Sequence, residues 1–107
     1  MRKVVFEGDT LALIRQFPTI VKQQAGYEID RVQRNKDPGT WKPFSSIDKG
    51  VREIRIQEDG QFRIIYIAKF DDKVHVLHVF KKKSQKTRQL DIDIAKRRLK
   101  VVIKRYK

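Results

Sequence analysis

The chain contains no cysteine, and its 107 residues include only two histidines. The absence of cysteine excludes disulfides, thiolate zinc sites and cysteine nucleophiles. The two histidines have no acidic cluster beside them, so we expect neither a metal nor another cofactor. No apolar run approaches the roughly 18 residues of a membrane helix, and Glu7 interrupts the N-terminal segment too early for a secretory signal. These absences favour a cytoplasmic protein.

Positive charge is what the sequence has in excess. It contains 26 Lys and Arg residues against 13 Asp and Glu residues, which gives a formal net charge of +13. The cations are concentrated from Lys81 onward, where only Asp91 and Asp93 are acidic. Neutralising phosphates with such cations releases condensed counterions, and this release favours binding. The composition therefore indicates one basic face and a nucleic-acid partner.

Apolar periodicity predicts a single α+β domain over residues 1–107. The expected order of elements is β-α-α-β-β-β-α, with short turns that favour an antiparallel sheet. We expect the helices to pack on one face of this sheet and to leave a basic open face. The predicted strands lie at 3–7, 51–57, 61–70 and 73–82, and helices are expected to begin near Asp9 or Thr10, Pro18 and Thr87.

Alternation along the predicted strands selects the side chains that share the open face. Where the isoleucines of the second strand turn to the core, Arg55 points outward, and Arg63 does the same in the next strand. Tyr66 is expected on the core side. If Leu77 and Val79 also face the core, alternate residues of the last strand point outward. The outward group then consists of Arg55, Arg63, His78, Phe80 and Lys82.

Two interpretations of this group remain open. It has the size of a phosphate-binding cluster, but a half-exposed sheet in which Arg55 pairs with Glu53 or Glu58 needs no ligand. The lysines after the last strand extend the positive charge beyond the sheet. Such charge runs usually contact phosphates without reading a sequence. We therefore expect RNA docking, rather than catalysis, from Lys81, Lys83, Lys86, Arg52 and Lys42.

A family resemblance is visible in three runs that follow one another along the chain: GVREIRI at 50–56, FRIIY at 62–66 and LHVFKKKSQKT at 77–87. Together they resemble the phage-derived, HigB-like branch of the RelE/ParE toxin superfamily. The Trp41-Lys42-Pro43 run and the Ala95-Lys96-Arg97-Arg98 run fit the same pattern, so the resemblance covers nearly the whole chain. It implies a RelE-like fold and a toxin of a type II toxin–antitoxin pair. It also implies a helix-turn-helix, HigA-like antitoxin as partner.

The resemblance implies an endoribonuclease that cuts messenger RNA, usually on the ribosome, without a metal. In such enzymes the ribose 2′-hydroxyl attacks its own phosphodiester. Arg63 matches the family's phosphate-stabilising arginine, while Arg55 and Lys82 match basic positions on the second strand and after the last strand. His78 or a lysine would carry protons, and the usual histidine pKa of about 6.5 suits this role. His78 is equally well interpreted as a structural strand residue.

The sequence departs from better-studied relatives at the start of the last helix. Those relatives place a tyrosine near the reacting phosphate, whereas residues 87–90 include none. The acid–base assignment is therefore open. Glu53 stands where some relatives have lysine, and it could act as a base or hold Arg55. Two other functions also remain open: a non-catalytic ParE-like inhibitor of DNA gyrase, and a plain RNA- or DNA-binding module.

Overall fold

The computed structural model describes residues 1–106 as an α+β fold, the class that the periodicity predicts. Three helices pack on one five-stranded sheet. Within residues 1–106, none of the helices is long and apolar enough to cross a lipid bilayer. The elements are β1 (Lys3–Phe6), α1 (Thr10–Gln16), α2 (Thr19–Gln33), β2 (Trp41–Pro43), β3 (Val51–Gln57), β4 (Gln61–Ile67), a 3₁₀ turn (Phe70–Asp72), β5 (Lys73–Lys81) and α3 (Gln89–Arg105).

The strands of the sheet lie in the order β1-β5-β4-β3-β2. β1 pairs with β5 in parallel, whereas the other neighbouring strands are antiparallel. The antiparallel pairing expected for β3, β4 and β5 is therefore confirmed, whereas the parallel pairing of β1 contradicts the expectation of an antiparallel sheet. The long stretch of chain between β1 and β5 provides the crossover that a parallel pair requires. Local periodicity does not indicate this pairing, because a strand shows the same alternation in either direction.

The strand β2 is an element that the sequence pattern does not predict. It has three residues, ends at Pro43 and pairs with β3 at the edge of the sheet. Lys42 and Pro43 are exposed, so the strand shows no apolar alternation. Proline is tolerated there because one side of an edge strand makes no ladder hydrogen bonds. The strand is therefore indistinguishable from a loop in the sequence.

Both faces of the sheet carry packed helices. α1 and α2 pack on one face, which includes Ile54 and Ile64, while α3 packs on the other face against Ile65 and Leu77. The prediction that all helices cover one face is therefore wrong. The reason is visible in β4, where the neighbours Ile64 and Ile65 point to opposite faces and are both fully buried. A strand that is apolar on both faces needs a packed layer on each side.

An extra residue in β5 changes the alternation expected for that strand. β4 pairs with Val76 and then with His78, so Leu77 forms a β-bulge. Leu77 packs under α3, whereas Val79 belongs to the core on the α1–α2 side. The expectation that these two residues share a face is therefore wrong. Because the bulge shifts the alternation by one residue, His78 and Phe80 lie on the side of α3, as Leu77 does.

Arg98 attaches α3 to this bulge and to the beginning of α1. One Nη atom donates to the Leu77 carbonyl oxygen at 3.0 Å, and the other donates to Asp9 at 2.8 Å. Gly8 allows this close approach. Its φ is +57°, and a Cβ atom there would lie 2.6 Å from the Arg98 guanidinium. The positive φ therefore favours glycine, and any side chain at this position would displace the Arg98 guanidinium.

The residues at which α1 and α3 were expected to begin do not cap these helices with their side chains. α1 is preceded by Asp9 and α3 by Arg88, and neither side chain bonds to the backbone of its own helix. Asp9 binds Arg98 instead. Thr87 lies one residue before the N-cap position of α3. At Asp9, a long-range ion pair therefore takes the place of a local cap, and long-range contacts of this kind are not visible in local sequence patterns.

The C-terminal end of α3 is held by a buried carboxylate. Glu7 Oε2 lies 3.0 Å from His75 Nδ1, and the two Glu7 oxygens accept hydrogen bonds from Arg105 at 3.1 and 3.2 Å. Burial by itself would raise the pKa of Glu7, but Arg105 and His75 together outweigh it and lower this pKa. The contact therefore stabilises the charged carboxylate and ties α3 to β1 and β5.

The substitution Leu99→Ala should lower the free energy of unfolding by about 2 to 5 kcal/mol, because Leu99 is buried between α3 and the sheet. Val101→Ala is a matched control, since Val101 is 52% exposed on the same helix. Its effect should stay within about 0.5 kcal/mol. Urea denaturation measures both values. Equal effects of the two substitutions would mean that α3 does not pack on the sheet in this way.

Candidate functional site

Two rows of paired residues cross the face of the sheet on which α3 packs. In the first row Arg55 pairs with Arg63, and Arg63 pairs with Phe80. Residues paired directly across neighbouring strands point to the same face. The structure therefore places the two predicted arginines and His78 on one surface. The adjacent row consists of Lys42, Glu53, Ile65 and His78.

Glu53 lies between the two arginines, and we call Glu53, Arg55 and Arg63 the arginine cluster. Glu53 Oε1 accepts a hydrogen bond from Arg55 Nε at 3.0 Å and lies 3.7 Å from Arg63 Nε. The contact with Arg55 is the pairing that the ligand-free interpretation expects, and it also holds the Arg55 guanidinium beside Arg63. Because two cations surround one anion, the cluster keeps an excess of positive charge that attracts a phosphate.

Burial sets the electrostatic properties of Arg63. Its side chain is 3% exposed, compared with 28% for Arg55. Burial lowers the pKa of Arg63, the carboxylate of Glu53 opposes this shift, and the charge of Arg55 adds to it. An arginine nevertheless stays protonated in proteins. Arg63 is therefore a cation whose field is only weakly screened by water.

Gln61 covers part of Arg63. Arg63 Nη2 donates to Gln61 Oε1 at 2.9 Å, while Arg63 Nη1 donates to the Phe62 carbonyl oxygen at 3.0 Å. Gln61 is exposed at the start of β4, so a change of its rotamer would release Arg63 Nη2 for a phosphate oxygen. Sequence reasoning missed Gln61. Its position two residues before Arg63 on the same strand was the available signal.

The lysine run borders an open cavity of about 560 Å³ next to Gln61. Lys82 and Lys83 belong to its lining, and Lys86 lies in the same loop, where its carbonyl oxygen accepts a hydrogen bond from Ser84 Oγ at 2.7 Å. Gln61 lines this cavity and also binds Arg63. We call the loop that carries Lys82, Lys83 and Lys86 the lysine loop. The positive surface therefore continues from the arginine cluster to this loop.

His78 forms a pair with Asp91, a residue for which no role was predicted from the sequence. His78 Nε2 lies 2.8 Å from Asp91 Oδ1, and Arg88 Nε donates to the second oxygen at 3.2 Å. The imidazole stacks on Phe80 with a centroid distance of 5.3 Å. Burial lowers the pKa of His78, and Asp91 only partly opposes this shift. The neutral ring donates from Nε2 to Asp91, so Nδ1 keeps a lone pair for which the described residues provide no partner.

The signal for Asp91 was weak because His78 and Asp91 lie 13 positions apart, on a strand and on a helix. Asp91 falls in the first turn of α3, where an acidic residue is common for reasons of helix stability alone. Its contact with His78 depends on the side of the sheet that α3 covers. That side was predicted incorrectly, so the pair could not be found from the sequence.

The predicted docking cations do not all lie on this surface. Lys42 is exposed in the row that includes Glu53. Lys81 lies on the α1–α2 side, with its Nζ atom 5.7 Å from the Phe62 ring centroid. Arg52 also belongs to that side, where its guanidinium lies 4.0 Å from the Trp41 ring centroid. Arg52 is therefore separate from the arginine cluster. Lys81 points to the opposite face of the sheet from the arginine cluster, but it still lines the cavity that Gln61, Lys82 and Lys83 border.

The arrangement suits chemistry on a phosphate. Two guanidinium groups on rigid neighbouring strands can donate hydrogen bonds to oxygens that gain negative charge. A neutral imidazole and lysine ammonium groups lie on or beyond the adjoining strand and can move protons. Among residues 1–106, no group of three or more His, Asp or Glu side chains is placed to hold a metal ion.

Comparison with known proteins finds a family that spans most of the chain. The family model described as Gp49, phage derived protein Gp49-like (DUF891), matches residues 12–100. This segment includes the arginine cluster, His78 and the lysine loop. The comparison with curated proteins found no match.

The lowered pKa of His78 predicts a specific loss of stability in mild acid. The unfolded chain, with the ordinary pKa of 6.5, binds a proton at a higher pH than the folded chain does. The free energy of unfolding should therefore fall as the pH decreases from 6.5 toward the lower folded-state pKa. His78→Gln, whose amide can still donate to Asp91, should remove this part of the decrease. Urea denaturation between pH 7.5 and pH 5 tests the prediction, and parallel curves for the two proteins would contradict it.

Proposed function

Since the chain belongs to the Gp49-like family of phage-derived proteins, a family within the RelE-like toxins of type II toxin–antitoxin systems, we propose that it is a toxin that cleaves messenger RNA. In this proposal the protein acts as a HigB-like endoribonuclease, cuts transcripts during translation on the ribosome, and stops growth by that means. The arginine cluster is the observation that carries the proposal.

The reaction requires charge stabilisation at phosphorus. The ribose 2′-oxygen forms a bond to phosphorus, the bond from phosphorus to the 5′-oxygen breaks, and a 2′,3′-cyclic phosphate results. The two non-bridging oxygens gain negative charge on the way. Arg63, from its buried position, and Arg55, at the surface, donate to these oxygens once Gln61 has moved aside. Glu53 holds the Arg55 guanidinium by a hydrogen bond and balances the charge of Arg63 at 3.7 Å, which favours a positioning role over the role of a base.

The same reaction moves two protons. The 2′-hydroxyl must lose one, and the leaving 5′-oxygen must gain one. His78 is neutral at pH 7, and its Nδ1 atom has a lone pair without a partner among the described residues. Because this atom is buried, His78 can accept the proton only if a local movement of the site exposes it to the RNA. Lys82 lines the open cavity beyond the strand, and its ammonium group is suited to donate one. Lys83 and Lys86 would bind neighbouring phosphates of the RNA.

A toxin of this kind needs a partner that keeps it silent. We propose a helix-turn-helix, HigA-like antitoxin whose acidic residues approach the basic surface. The net charge of +13 would make their association fast and sensitive to salt. The RNA and the ribosome are the other partners, and their phosphates would contact the exposed Lys42 and the lysine loop.

The substitutions Arg63→Gln and Arg55→Gln should each lower the rate of mRNA cleavage by about 100-fold or more, because each removes a charged donor from the reacting phosphate. Arg15→Gln is a matched control, since Arg15 is exposed on α1 and lies away from the arginine cluster. Cleavage is measured by mapping 5′ ends of mRNA after induction, with growth as a second readout. Circular dichroism checks folding, and Arg55 provides the cleaner variant because it is partly exposed.

The same experiment separates this function from the two others. Growth arrest without new 5′ ends, accompanied by DNA damage, would replace the proposal with gyrase inhibition. Salt-sensitive RNA or DNA binding without any cleavage would leave only a binding module. Cleavage that is equally fast in wild type, Arg55→Gln and Arg63→Gln would show that the arginine cluster is not the active site.

A further inference from the structure

A second cavity lies at the end of the sheet, on the side of α1 and α2. Its volume is about 370 Å³, within the range of about 300 to 1,000 Å³ that is usual for small-molecule sites. We call it the Arg52 cavity. Arg52 pairs with Tyr66, a residue of the core on the α1–α2 side, whereas the arginine cluster lies on the opposite face of the sheet. Its polar lining includes Arg2, Lys36, Asp37, Arg52, Tyr66 and Lys69.

The Tyr66 hydroxyl is an unused hydrogen-bond donor in this lining. Tyr66 is 2% exposed and packs in the core, as alternation predicted. Its oxygen lies close enough to Arg52 to interact with the guanidinium, which can only donate, and no described residue accepts the hydroxyl proton. Burial raises the pKa of Tyr66, and the nearby Arg52 only partly opposes this shift. The phenol therefore stays protonated at neutral pH. A buried hydroxyl without a partner is costly, so a ligand that accepts its proton gains binding energy there.

Arg52 is held in a fixed orientation beside this hydroxyl. Its guanidinium lies 4.0 Å from the Trp41 ring centroid, and its Nη1 atom donates to Asp37 Oδ1 at 2.9 Å. Stacking on the ring and the ion pair restrict the guanidinium plane. The remaining N–H groups of Arg52 are not used by these contacts. A fixed arginine with free donors is well suited to bind an anion in two places at once.

The charge of the lining favours an anionic ligand with several acceptor oxygens. Four lining side chains are cationic and one, Asp37, is anionic. The cationic groups and the Tyr66 hydroxyl donate hydrogen bonds, which matches the oxygens of a phosphate. Asp37 can accept a hydrogen bond from a hydroxyl or amino group of the same ligand. A nucleotide offers phosphate oxygens as acceptors together with hydroxyl and amino donors at a distance from them, whereas a carboxylate offers only acceptors.

We propose that the Arg52 cavity is a second binding site for a nucleotide phosphate, with Arg52 and Tyr66 as the main donors and Asp37 facing the ribose or the base. The phosphate ester can come from a free nucleotide or from a nucleotide within RNA. The Arg52 cavity lies on the face of the sheet opposite to the arginine cluster. Nucleotide binding there can therefore be tested whether or not the protein cleaves RNA.

The test is the binding of adenosine 5′-monophosphate to the full chain, measured by calorimetry at low salt, with adenosine and inorganic phosphate for comparison. We expect the monophosphate to bind more tightly than either part alone. Tyr66→Phe and Arg52→Gln should each weaken this binding about tenfold or more, as expected when a hydrogen bond to a charged group is lost. Matched controls are Tyr27→Phe and Arg34→Gln, because both residues are exposed on or beside α2 and lie outside the lining. Thermal unfolding verifies that each variant is folded.

A short oligoribonucleotide identifies the source of the phosphate. Loss of its affinity in Tyr66→Phe, at least as large as the loss for the monophosphate, would support a site for RNA. An effect of Tyr66→Phe on the monophosphate alone would support a site for a free nucleotide. The proposal is wrong if neither ligand binds at millimolar concentration, or if both lining variants bind as well as wild type. It is also wrong if an acidic peptide, but neither phosphate ester, binds in a manner that requires Tyr66.

Discussion

The buried contact between Glu53 and its two arginines is the interaction on which the candidate site depends. The side chain of Glu53 is 5% exposed and that of Arg63 is 3% exposed. A charge removed from water is stable only beside a compensating charge, so Glu53 allows Arg63 to remain inside the fold. Since all three residues of the arginine cluster stand on paired strands, their geometry is more rigid than that of a loop. The poorly hydrated setting also strengthens their attraction for a phosphate.

The helix α3 determines how much of this face is accessible. It packs on the apolar part, which includes Ile65 and Leu77, and its first turn brings Asp91 to His78. Arg98 and Arg105 attach the helix to the sheet near its middle and at its end. The candidate site is therefore not a wide open sheet. It is a narrower surface that lies beside the start of α3, the lysine loop and Gln61.

Local patterns predicted the central residues better than the fold around them. Arg55 and Arg63 follow from the two-residue period of a strand, which depends only on neighbours in sequence. The side of the sheet under α3, the parallel pairing of β1 and the bulge at Leu77 depend on contacts between distant segments. His78 was expected on the correct face although the bulge was not foreseen. Gln61 was within reach of the alternation, but a neutral amide beside so many cations did not stand out.

The chemical nature of the ends left on cleaved RNA is the most direct test of the central claim. The claim is that the arginine cluster stabilises the negative charge on the phosphate oxygens while the ribose 2′-hydroxyl attacks phosphorus. Mass spectrometry of fragments from translated mRNA should find 2′,3′-cyclic phosphate ends and 5′-hydroxyl ends with the wild-type protein. Fragments with 3′-hydroxyl and 5′-phosphate ends would contradict the claim, because they would show that water, rather than the ribose, had attacked the phosphate.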